Sequence, residues 1–224
     1  MSAASITKVT GGGSTSTQPV RRSGGLARMA ALLDAADEIA IAQGLSALSL
    51  PAVAARAGAS PSSLYHFFPT LEALCLALLR RYNALEDRAF DQLAGQGAAT
   101  SGWQEMACAL LAAGRAFHDA HPVYAQLMRR AAASEALRSE DDAHMLELGA
   151  RFQALLQTRF HLPPIPHLAE RLGAAAAMAD RLWAFLPEDN GKISDFAFEE
   201  SRRALISYLA NYLPGELTPK DTPP

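Results

Sequence analysis

Apolar residues recur every three or four positions from Leu26 onward. Met29, Leu32, Leu33, Ala36, Ile39 and Ala40 share one face of a first helix, which the pattern ends near Gly44. Ser49 reads as the N-cap of a short second helix, with Pro51 tolerated in its first turn and Gly58 at its end. Ser60 caps a third, with Pro61 at the first helical position, and Pro69 closes it. Thr70 caps a fourth helix running to about Leu93. Five more helices are predicted near 102–119, 123–133, 140–160, 167–186 and 195–213. They are separated by Gly95/Gly97, His121-Pro122, the stretch around Ser139, the Pro163–Pro166 run, and Pro187 through Gly191.

Composition supports an all-α fold. The chain holds 46 Ala and 31 Leu against 4 Val and 6 Ile, a balance that favours helices and disfavours a parallel-sheet enzyme. No apolar run approaches the ~20 residues of a membrane span. Two cysteines without a CxxC spacing indicate neither a disulfide framework nor a zinc knuckle. With no apolar leader at the N-terminus, a cytoplasmic protein is expected. Residues 1–25 are rich in Gly, Ser and Thr and are expected to form a flexible basic tail carrying Lys8, Arg21 and Arg22. Residues 214–224 are expected to be a second tail. Residues 1–90 carry a net +2 and residues 91–224 a net -5, which suits a nucleic-acid-reading head on a body with another task.

Three short helices, the second and third joined by Ala57-Gly58-Ala59, form a helix-turn-helix pattern over residues 26–70. Gly58 supplies the turn, while Val53, Ala54, Ala57 and Leu64 face inward. Ser60, Ser62 and Ser63 are short polar groups placed to meet base edges in a major groove. The stretch from Leu32 to Leu74 resembles the tetracycline-repressor (TetR) family of bacterial regulators, most specifically through Leu64-Tyr65-His66-Phe67-Phe68-Pro69 followed by Glu72-Ala73-Leu74. The resemblance implies that Tyr65, His66 and Ser49 contact DNA phosphates, and it adds Thr70 to that face. It further implies a body, residues 71–213, that encloses a small-molecule pocket and ends in two dimerising helices. Two positions depart from the family pattern: Leu71 stands where a phosphate-binding Lys is common, and Ala40 where an aromatic is common. Arg21 and Arg22 are the nearest cations able to make up that charge, on an arm reaching toward the minor groove.

In the body, an apolar pocket with a few polar groups for orientation is expected. The apolar candidates are Trp103, Phe117, Tyr124, Met128, Phe152 and Met178. The polar ones are Arg115, His118, Arg129, His144 and Arg181. Most of these aromatics and methionines serve equally well as plain core. Leu168, Leu172, Ala175, Ala179 and Leu182 stripe the eighth helix, and Phe198, Leu205, Leu209 and Tyr212 the ninth, at spacings that suit a helical seam. Both stripes could complete a monomer's core; the family resemblance favours a homodimer. His118, Asp119 and His121 lack a third ligand at metal-binding spacing, so no metal or cofactor is expected. The sequence thus points to a homodimeric repressor that binds a palindromic DNA operator and is released by a small, largely apolar effector. An all-helical carrier or enzyme with a merely structural helix-turn-helix is the alternative.

Overall fold

The computed structural model describes residues 18–95, 102–131 and 133–220. Among them run nine α-helices: α1 (Gln18–Gln43), α2 (Leu50–Arg56), α3 (Pro61–Phe67), α4 (Leu71–Gly95), α5 (Trp103–Ala120), α6 (Pro122–Ala131), α7 (Glu135–Arg159), α8 (Leu168–Phe185) and α9 (Asp195–Leu209). Two antiparallel ribbons complete the chain. One pairs β1 (Phe160–His161) with β4 (Thr218–Pro219); the other pairs β2 (Glu188–Asp189) with β3 (Lys192–Ile193). The fold is all-α, as composition and periodicity indicate. Among the described residues no single helix is long and apolar enough to cross a membrane.

The head forms where local signals place it. Gly44 (φ 83°) and Gly58 (φ 61°) adopt the left-handed conformation that ends one helix and turns the chain into the next. Ser49, Ser60 and Thr70 each accept a hydrogen bond from a backbone N–H three residues on, at 3.3, 3.2 and 3.0 Å. One apolar cluster joins α1 to α4 and continues into the body through Phe117, Val123, Tyr124, Leu127 and Leu137. The Leu45 N–H, in the turn after α1, donates to Gln126 Oε1 of α6 at 2.7 Å. The head is therefore attached both by the continuous chain into α4 and by α6.

A second cluster fills the space between α5, α7, α8 and α9. Here α7 and α8 cross at Gly149 and Gly173. A Cβ on Gly149 would stand 2.2 Å from the Ala169 carbonyl oxygen, and one on Gly173 would stand 2.7 Å from that of Met145. Only glycine permits this backbone contact.

Several expected boundaries move. The flexible tail to residue 25 is shortened, because α1 begins at Gln18, with Pro19 in the first turn where its missing N–H costs no bond. Lys8 and the rest of residues 1–17 lie outside the described residues. The break expected near Ser139 is absent: Ser134 caps α7, accepting from the Leu137 N–H at 3.3 Å, and Ser139 sits inside the helix. The C-terminal tail is docked as far as Lys220. Thr218–Pro219 pairs with β1, Leu217 is buried, and the Pro214 carbonyl accepts from Trp103 Nε1 at 2.8 Å. Finally, the turn between β2 and β3 is an Asn190-Gly191 hairpin with both residues at positive φ, the two-residue turn that dipeptide favours.

Candidate functional site

Two surfaces carry chemistry. The first is the outer side of α3. Ser62, Tyr65 and His66 are spaced by three and one, so they share a helical face, and all are exposed; Tyr65 keeps 50% of its surface. Leu64 and Phe68 are buried beneath them and Phe67 is half-buried, which anchors α3 against the head. Ser63 is half-buried and gives its N–H to the Ser60 cap. Ser49, Ser60 and Thr70 are exposed at three successive helix starts. Arg21 and Arg22 fall on α1, but their side chains lie outside the described set. The acids of α1 are occupied: Asp34 pairs with Arg81 at 2.6 Å, Glu38 with Arg56 at 2.7 Å, and Asp37 accepts from the Tyr82 hydroxyl. Leu71, where a lysine was the family expectation, packs half-buried on the head core.

The second surface is a cavity between α4, α5, α7, α8 and α9. It offers about 120 Å³ to the centres of water-sized molecules. Its walls are apolar: Phe90, Leu110, Phe117, Met145, Phe152 and Trp183 contribute most of the bulk. Gly114 leaves room for the Trp183 indole, whose ring would be 3.4 Å from a Cβ there, and Ser201 Oγ accepts from Trp183 Nε1 at 2.9 Å. Three titratable side chains also line the cavity: Glu86 on α4, His118 on α5 and Asp180 on α8.

These three differ sharply. Glu86 Oε2 accepts from Tyr124 at 3.0 Å and lies 3.0 Å from His144 Nε2. Burial raises the Glu86 pKa, but the His144 hydrogen bond and the nearby histidine charges outweigh it, so Glu86 stays ionised. His144 is held above its ordinary value against burial, chiefly by its bond to Glu86. His118 is pushed down by burial despite its acidic neighbours, and its Nε2 stands 3.5 Å from Asp180 Oδ1. Asp180 is pushed up to about 7 by burial and by repulsion from Glu86. Asp141 on α7 is likewise raised to about 7 by burial and then by Asp180 and Asp142.

Of the pocket residues expected from sequence, Phe117, His118 and Phe152 line the cavity. Tyr124 and His144 stand behind it as partners of Glu86. The others have different tasks. Trp103 is buried and tied to Pro214, Arg115 bonds the Ile193 carbonyl and Asp195 at 2.7 Å each, and Arg129 pairs with Glu188 at 2.7 Å. Met128 packs toward the head core, Met178 packs on the body cluster from outside the cavity, and Arg181 is exposed. Glu86 and Asp180 were missed, because an acid on a helix normally marks its solvated face. The available signal was Asp180 itself, set in the otherwise apolar run Ala174–Met178 and Leu182–Phe185.

The seam stripes also find their place. Leu168, Leu172, Ala175 and Ala179 of α8 and Leu205 and Leu209 of α9 are buried within this one chain, so they are not free to meet a second subunit. Their spacing serves the packing of α8 on α7 and of α9 on α5 and α8. Leu182 is half-buried, Phe198 lies under the Arg115 guanidinium at 5.0 Å, and Tyr212 lies under Arg171 at 4.0 Å. The large apolar side chains that do face outward here are Phe185 (75% exposed) and Phe196 (61%).

Outside the cavity, Asp87, His144 and Glu147 converge to within 4.8 Å. Arg151 already pairs with Asp87 at 3.2 Å, and His144 with Glu86, so charge there is met by side chains.

Residues 32–78 match the family model for bacterial regulatory proteins of the tetR family. That match spans the helix-turn-helix and the start of α4. Over the remainder the likeness is one of fold. A TetR-family transcriptional regulator from Streptomyces coelicolor superposes with a TM-score of 0.64 at 23% identity, covering 83% of this chain and 99% of that one. A TetR transcriptional regulator from Rhodococcus sp. RHA1 gives 0.63 at 20% identity, covering 83% and 97%. The multidrug binding protein EbrR complexed with ethidium gives 0.54 at 22%, covering 81% and 98%. No curated protein sequence matches the chain. The tetR-family head is a helix-turn-helix of the DNA-binding, transcription-regulating kind, and the Leu32–Leu74 resemblance and the family match coincide on it.

Proposed function

We propose that this chain is a ligand-responsive transcriptional regulator, a homodimeric repressor that leaves a palindromic operator when a small molecule fills the cavity. The observation that carries this reading is the sharing of α4. The helix starts at the end of the DNA-facing segment, four residues after Phe67, and presents Glu86 to the cavity. Tyr124 of α6 bonds that same Glu86, and Gln126, two residues on, holds the head at Leu45. A molecule that displaces Glu86 therefore acts on both attachments of the head. EbrR, a relative by fold, is a multidrug binding protein seen with imidazole and with ethidium, which supports ligand binding in a body of this shape.

On DNA, Ser62 and Ser63 read the major groove, while Ser49, Ser60, Thr70, Tyr65 and His66 hold phosphates. For the dimer, Phe185 and Phe196 mark the outward face of α8 and α9 as the contact, in place of the buried stripes.

Fluorescence anisotropy with the gene's own upstream DNA tests the reading. Salt-sensitive, site-specific binding is expected. Tyr65→Phe with His66→Ala should weaken operator and unrelated DNA by similar factors, because phosphate contacts position without specifying. Absence of site-specific binding would leave a helical carrier or enzyme.

A further inference from the structure

The cavity has an asymmetric chemistry. Most of its wall is aromatic or aliphatic; among the described residues its acidic lining groups are Glu86 and Asp180, and no Lys or Arg lines it. His118, the one basic side chain in the lining, is pushed toward its neutral form by burial against the pull of Glu86 and Asp119.

The two acids are not equivalent. Glu86 is already served by Tyr124 and His144. Among the described residues only His118, at 3.5 Å, lies within ion-pair distance of Asp180, which still keeps 21% of its side chain exposed. Its neighbours from other elements add negative charge: Glu86 from α4 and Asp141 from α7. Arg181, next along α8, is exposed, and its charge offsets the effect of burial and Glu86 on Asp180 only in part. A carboxylate withdrawn from water without a directly paired cation is costly, and a protein retains one where a partner arrives from outside. The Trp183 and Phe117 rings line the same cavity, and their faces attract positive charge.

We infer that the effector of this regulator is an aromatic or otherwise lipophilic organic cation, a protonated amine or quaternary ammonium whose charge meets Asp180 while its apolar body lies against Phe117, Phe152 and Trp183. Neutral and anionic molecules of the same shape are discriminated against. This assignment rests on the cavity being the effector site proposed above and adds the sign of the ligand's charge.

Three near-isosteric probes test it at neutral pH: 1-naphthylmethylamine, a cation; 1-naphthalenemethanol, neutral; and 1-naphthoate, an anion. Titration calorimetry on the full chain without DNA should rank the amine at least tenfold tighter than the alcohol, with naphthoate weakest. Asp180→Asn should erase the preference for the amine while leaving the alcohol's affinity within about twofold. The wild-type ranking carries the test alone if that variant fails to fold. Equal or tighter binding of the alcohol or of naphthoate overturns the proposal, as does an amine preference that survives in a folded Asp180→Asn, or no binding of any probe at millimolar concentration. Each of these leaves the DNA-binding reading standing. The converse result, selective amine binding with no release of DNA, retains the cationic site and removes its role as an effector switch.

Discussion

In the head, Asp34, Asp37 and Glu38 lie on one helix, and each has a partner: Arg81, Tyr82 and Arg56. In the body, Asp141 and Asp180 are withdrawn from water beside other acids, and burial outweighs the pull of His144 on the one and Arg181 on the other. The glycines divide in the same way. Gly58 serves a local turn with nothing within 4 Å of its missing Cβ, whereas Gly149 lets two long helices touch backbone to backbone. The head is a self-consistent local design whose electrostatics lie on the surface. The body combines tight helix contact with an electrostatic imbalance, which is the pattern expected where stability has been given up for binding.

The sharpest way to break this comparison is at the glycines. Gly149→Ala should cost about 3 kcal/mol or more, because the Ala169 carbonyl must move and the helix pair cannot yield locally. Gly58→Ala, strained only by its positive φ, should cost about 1 kcal/mol. Urea unfolding of both variants measures the contrast. Equal losses would show that the crossing is no tighter than the turn.

Next come the acids. Because the folded-state pKa of Asp180 lies near 7 instead of 3.8, the native protein binds a proton that the unfolded chain releases between about pH 4 and 7. The contribution of Asp180 to stability therefore falls with rising pH across that window and levels off above it. Asp180→Asn should remove this slope, gaining roughly 2 kcal/mol at pH 8 and little at pH 4. In the head, Arg56→Ala should change stability by less than about 1 kcal/mol, since its pair with Glu38 is more than half exposed on both sides. Urea titrations of each variant at pH 4, 6 and 8 supply the test; a pH-independent gain for Asp180→Asn would remove the charge explanation.

Two weaker effects separate the surfaces. Phe185→Glu with Phe196→Glu should shift the chain toward monomer without lowering the unfolding midpoint of the protomer, as light scattering and urea unfolding at low concentration would show. A full dimer for that variant would move the contact elsewhere. Deleting residues 1–24, with Lys8, Arg21 and Arg22, should flatten the slope of log K against log salt by about 2 per head through the loss of Arg21 and Arg22. An unchanged slope would make that segment a passenger and leave the head's affinity to its folded residues.

The head was legible because its determinants are short-range. A cap such as Ser60 acts three residues away, Pro61 fixes its own φ, and Gly58 decides a turn between adjacent helices. The body depended on pairings between distant segments. The Leu205 and Leu209 spacing looks the same whether the facing helix belongs to this chain or another, so the stripe was read as a seam and proved to be core. Nothing near Leu217 announces that it docks beside β1, since the partner lies more than fifty residues earlier. The pocket was half-legible for a related reason. Aromatic residues advertise apolar space, and Phe117 and Phe152 do line the cavity, but whether Asp180 faces that space is set by the rotation of α8 about its glycine contact with α7. The Asn190-Gly191 hairpin was local and readable, yet it was taken for an ordinary break.

The single hydrogen bond from the Leu45 backbone to Gln126 has a mechanical meaning. A rigid piece pinned at two separate points retains one easy degree of freedom, rotation about the line through the pins. For the head, taken with the start of α4 that Arg81 and Tyr82 tie to it, those pins are the α4 shaft and the grip of α6 at Gln126, so the easiest displacement is a swing along one arc. In the proposed dimer, the distance between recognition helices would be a gauge of that one angle, and a small rotation of α6 would put the gauge off scale. Cutting the Gln126 pin would loosen the other rotations, and the two heads would then sample many separations instead of one path.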